Sequence, residues 1–398
     1  MNSFLKLYFA GLTLALALSA NAAAEPQFAD VFVAGKDGFP SIRIPSVVVS
    51  KGGAVLAFAE GRAMAADQAN NKIILKRSLD GGKTWGAQQI IAADGKNCLN
   101  NPCAVVDEKT GRIIVMFQSY PFGYSERDGK IQPGLDGPAI VRNGVIHSDD
   151  DGLTWSRMVD VTRTTKHAER VTIMASGPGI GIQLKHGPHA GRILIPFNEG
   201  PFGHWNVLAV LSDDGGDHWQ VGEPAPGGCV TNASDKIVSL VNEVQMVELS
   251  DGMVMLNSRK WGGQPVRKIA VSTDGGVTWS KIEEVPALHD PGCMASIIYG
   301  ETKTGRSVLL YSGPDSTKRE NGTIHLSNDD GRTWPVKKVL FPGSFAYSVL
   351  TQLPNGDIGC LFETDDANRI VFARFPLGWL MDDKDATGSN AATGAMTE

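Results

Sequence analysis

One eight-residue motif occurs five times in this chain and constrains its fold more than any other feature. It reads Ser-x-Asp-x-Gly-x-x-Trp, and its copies, which we call boxes, are SLDGGKTW, SDDDGLTW, SDDGGDHW, STDGGVTW and SNDDGRTW, starting at residues 78, 148, 212, 272 and 327. Short alternating segments separated by Asp-Gly, Asn-Gly and Lys-Gly-Gly turns lie between the boxes and are typical of β-strands. Repeats of this length, each with several strands, indicate a propeller of four-stranded blades.

The number of blades follows from the length of the chain. With 398 residues and five boxes, the sequence predicts an all-β protein, a six-bladed β-propeller of four-stranded antiparallel blades, over residues 25–380. The segment from Val336 onward is expected to form a sixth blade without a box, closed by a strand near residue 30.

The residue types within a box have local structural tasks. The Asp carboxylate can accept backbone N–H groups across its own turn, Gly supplies a positive φ, and Trp buries a large ring between blades. The alternative, a calcium loop, lacks the spaced oxygen ligands and the distal Glu that such loops use. The boxes therefore predict the architecture rather than the activity.

The two ends of the chain are not expected to belong to the propeller. Residues 1–24 carry one Lys, an apolar run and small residues at Ala-x-Ala sites, which is the pattern of a secretory signal peptide. Residues 381–398 are polar and predicted to be disordered. We therefore expect an exported protein, periplasmic, secreted or held at the cell surface, with no membrane-spanning segment after cleavage of the signal.

Composition narrows the choice of partners. The formal net charge of −6 provides no basic face for nucleic acid. The five cysteines are scattered and odd in number, so buried thiols are the favoured interpretation and a Cys98–Cys103 disulfide is the alternative. No motif of convincing spacing indicates a metal or another cofactor, and nothing implies an obligate protein partner.

Charged residues collect at the open ends of three predicted hairpins. In the hairpin around Ser250-Asp251-Gly252, a three-residue loop pairs positions whose numbers sum to 502, so Glu243 faces Arg259. In the hairpin around Lys51-Gly52-Gly53, Arg43 falls opposite residues 60–62. Glu60 and Arg62 share one face of the second strand.

The third hairpin, FAYSVLTQLPNGDIGCLFE, is predicted to turn at Asn355-Gly356. The residue numbers of paired positions then sum to 711, so Tyr347 lies opposite Thr364, the residue after Glu363. Any single Arg–Glu pair is better explained as an ordinary surface ion pair. Because three hairpins send cations, carboxylates and a phenol to one end, however, the cluster indicates an anion-binding site with acid and base groups.

These residues resemble the sialidases, the exo-α-neuraminidases of the retaining six-bladed type, over about residues 28–376. The resemblance rests on the boxes together with Arg43-Ile44-Pro45, FAEGRAMAAD (58–67), NPC (101–103), NEVQ (242–245), LNSR (256–259) and AYS (346–348). It implies hydrolysis of terminal α-linked sialic acids on glycoconjugates, without a cofactor or metal.

The resemblance also implies roles for individual residues. Asp67 would be the general acid/base, Tyr347 the nucleophile and Glu243 its base. Arg43, Arg259 and Arg319 would bind the substrate carboxylate, although Lys318 is an alternative to Arg319. Glu363 would support Arg43. Glu60 and Arg62 would line the pocket near the 4-position of the sugar, and Asn100 and Asn101 would lie near the acetamido group.

The chemistry explains why such residue types are needed. Sialic acid carries a carboxylate on its anomeric carbon, which guanidinium groups bind well and which would repel a carboxylate nucleophile. A neutral phenol avoids this repulsion but needs an adjacent base. Two alternatives remain open: a non-catalytic sialoside-binding propeller, which has no need of Asp67, Glu243 or Tyr347, and a trans-sialidase or intramolecular trans-sialidase on the same scaffold.

Overall fold

The chain forms a ring of four-stranded antiparallel blades. The computed structural model describes residues 24–232, 234–302 and 305–381, and over these residues there are six such blades. The innermost strands of successive blades contact one another, as Ser41–Val49 does with Cys98–Val106. Middle strands such as Val55–Arg62 are buried along their whole length because a blade packs on either face. The prediction of a six-bladed all-β propeller is confirmed.

The four strands of each blade follow one another in sheet order. Blades 1 to 3 contain Ser41–Val49, Val55–Arg62, Lys72–Ser78 and Gln89–Ala92; Cys98–Val106, Ile113–Tyr120, Arg142–Ser148 and Val159–Asp160; and Ile173–Ser176, Ile193–Gly200, Asn206–Ser212 and Gln220–Val221. Blades 4 to 6 contain Val241–Glu248, Val254–Lys260, Val266–Ser272 and Glu283–His289; Ser296–Glu301, Ser307–Pro314, Glu320–Ser327 and Val336–Ser344; and Ser348–Gln352, Ile358–Thr364, Arg369–Phe375 and Gln27–Val33.

A few short elements lie outside this scheme. They are the strands Gly179–Ile180 and Ile182–Gln183, the hairpin of Cys229–Thr231 and Ile237–Ser239, the helices Thr162–Thr165 and Leu377–Leu380, and the 3-10 turn Gly187–His189. None of the helices in the described ranges is long and apolar enough to cross a membrane. The predicted leader and polar tail lie outside the described residues, apart from Ala24 and Met381.

The ring is closed by the two ends of the propeller. Gln27–Val33 pairs antiparallel with Arg369–Phe375 and is the outer strand of blade 6, which confirms the predicted closure. The start predicted for this blade is wrong, however, because Val336–Ser344 is the outer strand of blade 5 and blade 6 begins at Ser348. Each box joins the third and fourth strands of a blade, so the strand that follows the fifth box completes blade 5. Blade 6 has no box because its fourth strand comes from the other end of the chain.

The boxes form the hydrogen-bonded turns that their composition predicts. In the first box, Asp80 Oδ1 accepts the backbone N–H groups of Lys83 and Thr84, each at 2.9 Å. Ser78 Oγ accepts the N–H of Gly82 at 2.8 Å. Gly82 has φ +86°, and a Cβ there would lie 2.2 Å from Phe372 of blade 6. Glycine is therefore required both by the turn and by the close packing of neighbouring blades.

The box tryptophans pack against the preceding blade. The ring of Trp85 lies 5.4 Å from that of Phe372 in blade 6, and the ring of Trp155 lies 5.8 Å from that of Phe58 in blade 1. Both pairs meet edge to face, the arrangement that aromatic quadrupoles favour. The predicted structural role of these tryptophans is confirmed.

The three charged hairpins share one type of turn. Each turn has three residues and ends in a glycine with positive φ, namely Gly53, Gly252 and Gly356, at 85°, 82° and 84°. In the blade 4 hairpin, Gln245 pairs with Asn257, as the predicted sum of 502 requires, and a register shift follows between Val241 and Val244. In the blade 1 hairpin, Arg43 pairs with Glu60, and a shift follows between Arg43 and Ser46.

The two-residue turn predicted for the blade 6 hairpin is wrong. Leu353 N–H donates to the carbonyl of Asp357 at 2.8 Å, so the turn is Pro354-Asn355-Gly356 and Gln352 pairs with Ile358. The register moves by one residue because Gly356 occupies the last position of a three-residue turn. As a result Tyr347 lies opposite Glu363, whose N–H donates to the Tyr347 carbonyl at 2.9 Å.

The cysteines are free thiols. All five are unpaired, and Cys98, Cys103, Cys293 and Cys360 are buried. The buried-thiol interpretation is confirmed, and Cys98 and Cys103 are not joined.

Candidate active site

The open ends of the hairpins surround one polar cavity of about 290 Å³. Nine of the eleven residues singled out from the sequence line it: Arg43, Arg62, Asp67, Asn100, Asn101, Glu243, Arg259, Arg319 and Tyr347. The other two, Glu60 and Glu363, are completely buried behind arginines of the lining. The cavity lies near the lower limit of the volumes that small-molecule sites occupy.

Tyr347 and Glu243 are joined by a hydrogen bond across two blades. The Tyr347 hydroxyl donates to Glu243 Oε1 at 2.5 Å. Arg259 NH1 donates to Glu243 Oε2 at 2.5 Å and to the Tyr347 oxygen at 2.9 Å. Burial, and then the Glu243 carboxylate, raise the pKa of Tyr347 well above its usual value. The resting phenol is therefore protonated, with its proton directed at a base.

Three guanidinium groups converge around this phenol. The Arg43 and Arg319 guanidinium carbons each lie 5.3 Å from the Tyr347 ring centroid, and Arg259 donates to its oxygen. Lys318, the alternative to Arg319, is exposed and does not line the cavity. The cavity thus concentrates positive charge around one tyrosine.

Each of these arginines is held in place by a different acceptor, which for Arg259 is the Glu243 carboxylate described above. Arg43 makes a two-point contact with Glu363, from Nε to Oε1 at 3.2 Å and from NH2 to Oε2 at 2.7 Å. The Glu363 carboxylate is the main cause that raises the pKa of Arg43. Arg319 NH2 donates to the Gly292 carbonyl at 2.8 Å. Arg259 Nε is buried without a partner among the described residues.

Asp67 lies on the loop after the second strand of blade 1, and its side chain is 44% exposed. Its Oδ1 accepts a hydrogen bond from Arg62 NH1 at 3.0 Å. Arg62 also contacts Glu60 Oε2, at 2.7 Å from both Nε and NH2. Burial is the largest single influence on the pKa of Arg62 and lowers it, but the Glu60 and Asp67 carboxylates together outweigh burial, and the pKa is raised. Arg62 is thus a fixed cation that orients Asp67.

Glu60 is surrounded by N–H donors. Besides Arg62, it accepts hydrogen bonds from the side chains of Asn71 and Asn100 and from the backbone N–H of Asn101, at 3.1, 3.2 and 2.7 Å. Asn101 has φ +55°, an orientation that asparagine tolerates better than most residues. The sequence placed Glu60 on the cavity surface; the structure places it one layer behind, where it fixes Arg62 and the backbone at Asn101.

Besides the residues predicted from the sequence, the lining of the cavity includes Glu126, Arg127, Trp205 and Trp261. The first two lie on the long connection between the second and third strands of blade 2, which carries no periodic signal. Only three of the eight tryptophans lie outside the boxes, and two of these three, Trp205 and Trp261, line the cavity.

Glu126 is a third carboxylate that lines the cavity, in addition to Asp67 and Glu243. Burial, and then the nearby Asp67 carboxylate, raise the pKa of Glu126 to about 7. Its nearest cation is Arg127, at 3.8 Å. Such a group changes its charge near neutral pH.

The arrangement can perform acid/base chemistry on an anionic ligand. The guanidinium groups can bind a carboxylate by charge-assisted hydrogen bonds, Glu243 can accept the tyrosine proton, and Asp67 is exposed enough to reach a ligand. Within the described ranges, no group of three or more His, Cys, Asp or Glu side chains is placed to hold a metal ion.

Comparison with known proteins gives concordant results. The model of the BNR repeat-like domain matches residues 53–360. A sialidase of Micromonospora viridifaciens is 39% identical over 368 residues, which cover 88% of this chain and 54% of that protein. A sialidase of Bacteroides fragilis is 30% identical over 355 residues, covering 84% and 62%. The chain thus spans little more than half the length of these two relatives.

Solved structures share the fold. The Hadza microbial sialidase Hz136 superposes with a TM-score of 0.77 at 28% identity, covering 87% of this chain and 68% of that one. The intramolecular trans-sialidase from Ruminococcus gnavus superposes with a TM-score of 0.75 at 20% identity, covering 88% and 98%. At 20% identity the second comparison bears on the fold alone.

Proposed function

The chain belongs to the sialidase family of BNR-repeat propellers, and from this premise we propose that it is an exo-α-sialidase. In this proposal it hydrolyses terminal α-linked sialic acids from glycoproteins, glycolipids or oligosaccharides with retention of configuration. The observation that carries the proposal is the hydrogen bond from Tyr347 to Glu243 within a ring of three arginines.

Substrate binding would depend on the arginines. Arg43, Arg259 and Arg319 would donate hydrogen bonds to the carboxylate on the anomeric carbon, and this attraction would hold that carbon near the Tyr347 oxygen. Binding at several points fixes the orientation of the sugar and lowers the entropic part of the barrier.

The first half-reaction would form a covalent intermediate. The Tyr347 oxygen would attack the anomeric carbon while its proton passes to Glu243 Oε1, the acceptor of its hydrogen bond. Asp67, in its acid form, would protonate the glycosidic oxygen as the bond to it breaks, so the aglycone departs as a neutral alcohol. A phenol, unlike a carboxylate, is not repelled by the substrate carboxylate.

The second half-reaction would reverse these proton movements. Asp67, now a carboxylate, would take a proton from water, and the resulting nucleophile would displace the Tyr347 oxygen from the anomeric carbon. Tyr347 would recover its proton from Glu243. Two displacements at one carbon give net retention; sialidases are among the glycosidases known to use a tyrosine nucleophile.

Two alternatives make different use of the same cavity. A sialoside-binding propeller needs the arginines alone, whereas this chain also places Asp67, Glu243 and Tyr347 around the cavity. A transferase would use the same first step but deliver the sugar to another acceptor, and the Ruminococcus gnavus protein of the same fold is named an intramolecular trans-sialidase. The reaction products distinguish hydrolysis from transfer.

We also propose that the protein acts outside the cytoplasm. This rests on the leader-like sequence of residues 1–24, which lies almost entirely outside the described residues. Its substrates would then be exported or extracellular sialylated glycoconjugates.

The proposal is tested by release of 4-methylumbelliferone from its α-sialoside by wild type and by Tyr347→Phe. We expect turnover by wild type and a loss of at least about 10³-fold in the variant, as for removal of a catalytic group. Tyr299→Phe is the matched control, because this hydroxyl contacts Asp330 and lies outside the cavity. Proton NMR of the first product, α-sialic acid for hydrolysis with retention, separates hydrolysis from transfer.

Each other outcome has a defined meaning. Wild type that is folded and binds sialic acid but releases no product between pH 4 and 8 would favour the binding propeller. Turnover that survives in Tyr347→Phe would leave a glycosidase with a different nucleophile.

A further inference from the structure

The main-chain carbonyl of Asp67 is bound by two buried asparagine side chains. Asn71 Nδ2 donates to this oxygen at 2.7 Å and Asn100 Nδ2 donates to it at 2.8 Å. The two asparagines are 1% and 5% exposed, whereas the Asp67 side chain reaches the cavity. Both lone pairs of the Asp67 carbonyl oxygen are therefore occupied by donors from the protein interior.

The same two amide groups also bind Glu60. Asn71 Nδ2 donates to Glu60 Oε2 at 3.1 Å, and Asn100 Nδ2 donates to Glu60 Oε1 at 3.2 Å. Because an amide group has two N–H donors, each asparagine gives one N–H to Glu60 and the other to Asp67. Glu60, Asn71, Asp67 and Asn100 thus form a closed ring of four hydrogen bonds, which we call the asparagine ring.

The asparagine ring joins two blades. Asn71 directly precedes the third strand of blade 1, and Asn100 lies in the first strand of blade 2. Leu99 N–H also donates to the Asn71 carbonyl at 3.0 Å. By contrast, residues 63–66, which precede Asp67 on its loop, are exposed. The ring therefore attaches an exposed loop to the buried contact between two blades.

Asp67 is held at a second point through its side chain. Arg62 NH1 donates to Asp67 Oδ1 at 3.0 Å, and Arg62 is in turn paired with Glu60. The backbone and the side chain of Asp67 are thus both connected to one buried carboxylate. A single contact allows a residue to pivot about it, whereas contacts at the carbonyl and at the carboxyl group fix its direction.

Resting on the proposed function, we infer that Asn71 and Asn100 are positioning residues for the acid/base step, which hold the Asp67 carboxyl group at the glycosidic oxygen by binding the Asp67 carbonyl. Proton transfer requires that the two groups lie within hydrogen-bond distance, and a displacement of about 1 Å can cost about 100-fold in rate. Asn71 does not line the cavity, so it acts on the reaction only through the residues that it contacts.

The test compares two leaving groups that differ in their need for a proton. The alcohol of 3′-sialyllactose (or of 6′-sialyllactose, whichever the wild type cleaves) departs slowly unless Asp67 protonates it, whereas 4-methylumbelliferone departs from its α-sialoside as a stable phenolate. We expect Asn71→Ala to lower kcat/KM for the sialyllactose by about ten-fold, as for one lost buried donor, and for the umbelliferyl substrate by less than about two-fold. A purely structural defect would lower both values equally.

Asn100→Ala tests the other half of the asparagine ring. Because Asn100 also lines the cavity, its truncation can weaken the binding of sialic acid itself, which lowers kcat/KM for both substrates. The additional loss for the sialyllactose measures the positioning effect. Since both asparagines hold one carbonyl, this additional loss in the double variant should be smaller than the product of the two single losses.

Asn368→Ala is the matched control variant. Asn368 Nδ2 donates to the main-chain carbonyl of Asp365 at 2.8 Å, which is the same type of bond, and Asn368 does not line the cavity. Its kcat/KM should equal that of wild type on both substrates. Thermal unfolding verifies the fold of each variant. If Asn71→Ala does not fold, Asn71→Ser, which keeps a hydroxyl donor, should show a smaller loss that is again confined to the sialyllactose.

The possible outcomes separate this inference from the proposed function. Wild type that turns over both substrates, with Asn71→Ala unchanged on both or equally impaired on both, would overturn the positioning role alone. A larger loss on the umbelliferyl substrate than on the sialyllactose would overturn it as well. Wild type inactive on both substrates would remove the proposed function and this inference together.

Discussion

Arg267 and Asp290 form an ion pair behind the cavity, with 3.0 Å between NH1 and Oδ2 and side chains that are 0% and 1% exposed. The Asp290 carboxylate also accepts backbone N–H groups from Lys260, Gly292 and Cys293, at 2.7, 2.8 and 2.9 Å. One buried carboxylate therefore joins a strand of blade 4 to the loop that precedes blade 5.

Two of the three arginines around Tyr347 depend on this carboxylate for their position. Arg259 is the residue before Lys260, whose N–H is bound by Asp290. Arg319 donates to the carbonyl of Gly292, whose N–H is bound by the same carboxylate. Asp290 is thus a positioning residue that does not line the cavity.

We expect Asp290→Ala to lower the free energy of unfolding by about 3–5 kcal/mol, because it leaves the Arg267 charge buried without a partner. Asp290→Asn should be less destabilised, since it keeps an oxygen for the backbone donors. For Asp290→Asn we also expect KM for the sialoside to rise more than kcat falls. Urea unfolding and steady-state kinetics measure the two effects; a KM equal to that of wild type would exclude the positioning role.

Arg319 and Lys318 give a direct comparison of adjacent cations. Arg319→Ala should lower kcat/KM by about 100-fold, in the range of energies for truncating one member of a hydrogen-bonded charge pair at a binding site. Lys318→Ala should leave kcat/KM unchanged because Lys318 is exposed and outside the cavity. Arg319→Lys should recover little, since a lysine cannot reproduce the planar two-point contact. Equal losses in the two alanine variants would contradict the assignment.

The sequence predicted the cavity residues that lie on hairpins, because the geometry of a turn determines which residues of its two strands are paired. A turn that ends in glycine fixes the register of the strands on either side, and the predicted sum of 502 holds from Glu248 to Val244. The error of one residue in blade 6 arose because Asn-Gly is compatible with both two- and three-residue turns. The register shifts beside Arg43 and Glu243 could not be predicted from the sequence pattern either, because β-bulges are determined by packing around the site.

Residues on long connections were the main omission. Glu126 and Arg127 reach the cavity from a connection between two strands of blade 2, and no periodicity indicates where such a segment returns to the fold. The carboxylates behind the arginines were harder to place than the arginines themselves. Whether Glu60 lies on the cavity surface or one layer behind it depends on the packing of blade 1 against blade 2.

Glu126 should give the proposed activity a pH dependence near neutrality. The charged groups that act on it are Asp67, Arg127, Glu243 and Arg259, and its raised pKa of about 7 means that it gains a negative charge as the pH rises through 7. This charge opposes the binding of an anionic substrate, so KM of wild type should increase above pH 7. Glu126→Gln cannot ionise and should show a flatter KM between pH 6 and 8.

The same carboxyl group makes a prediction about stability. Its folded pKa of about 7 exceeds the usual 4.5, so the unfolded chain loses this proton first and ionisation disfavours the folded state as the pH rises from about 5 to 7. Glu126→Gln should therefore gain stability relative to wild type over this range. Thermal unfolding of both proteins at pH 5 and pH 8 measures the difference; a variant that loses stability relative to wild type as the pH rises would contradict burial of this carboxyl group.

The boxes should contribute to stability without affecting catalysis. Asp150 accepts the Thr154 hydroxyl at 2.6 Å and the Thr154 N–H at 2.9 Å, and these bonds lower the pKa of Asp150 from 3.8 to about 2. Its contribution is thus complete above pH 4 and is lost as the pH falls toward 2. Asp150→Ala should have a lower Tm than wild type at pH 7, a difference that narrows below pH 4, and an unchanged kcat/KM. Glu169→Ala, which removes an exposed carboxylate outside any box, is the control; if both variants lowered the Tm equally, general charge rather than the turn would be responsible.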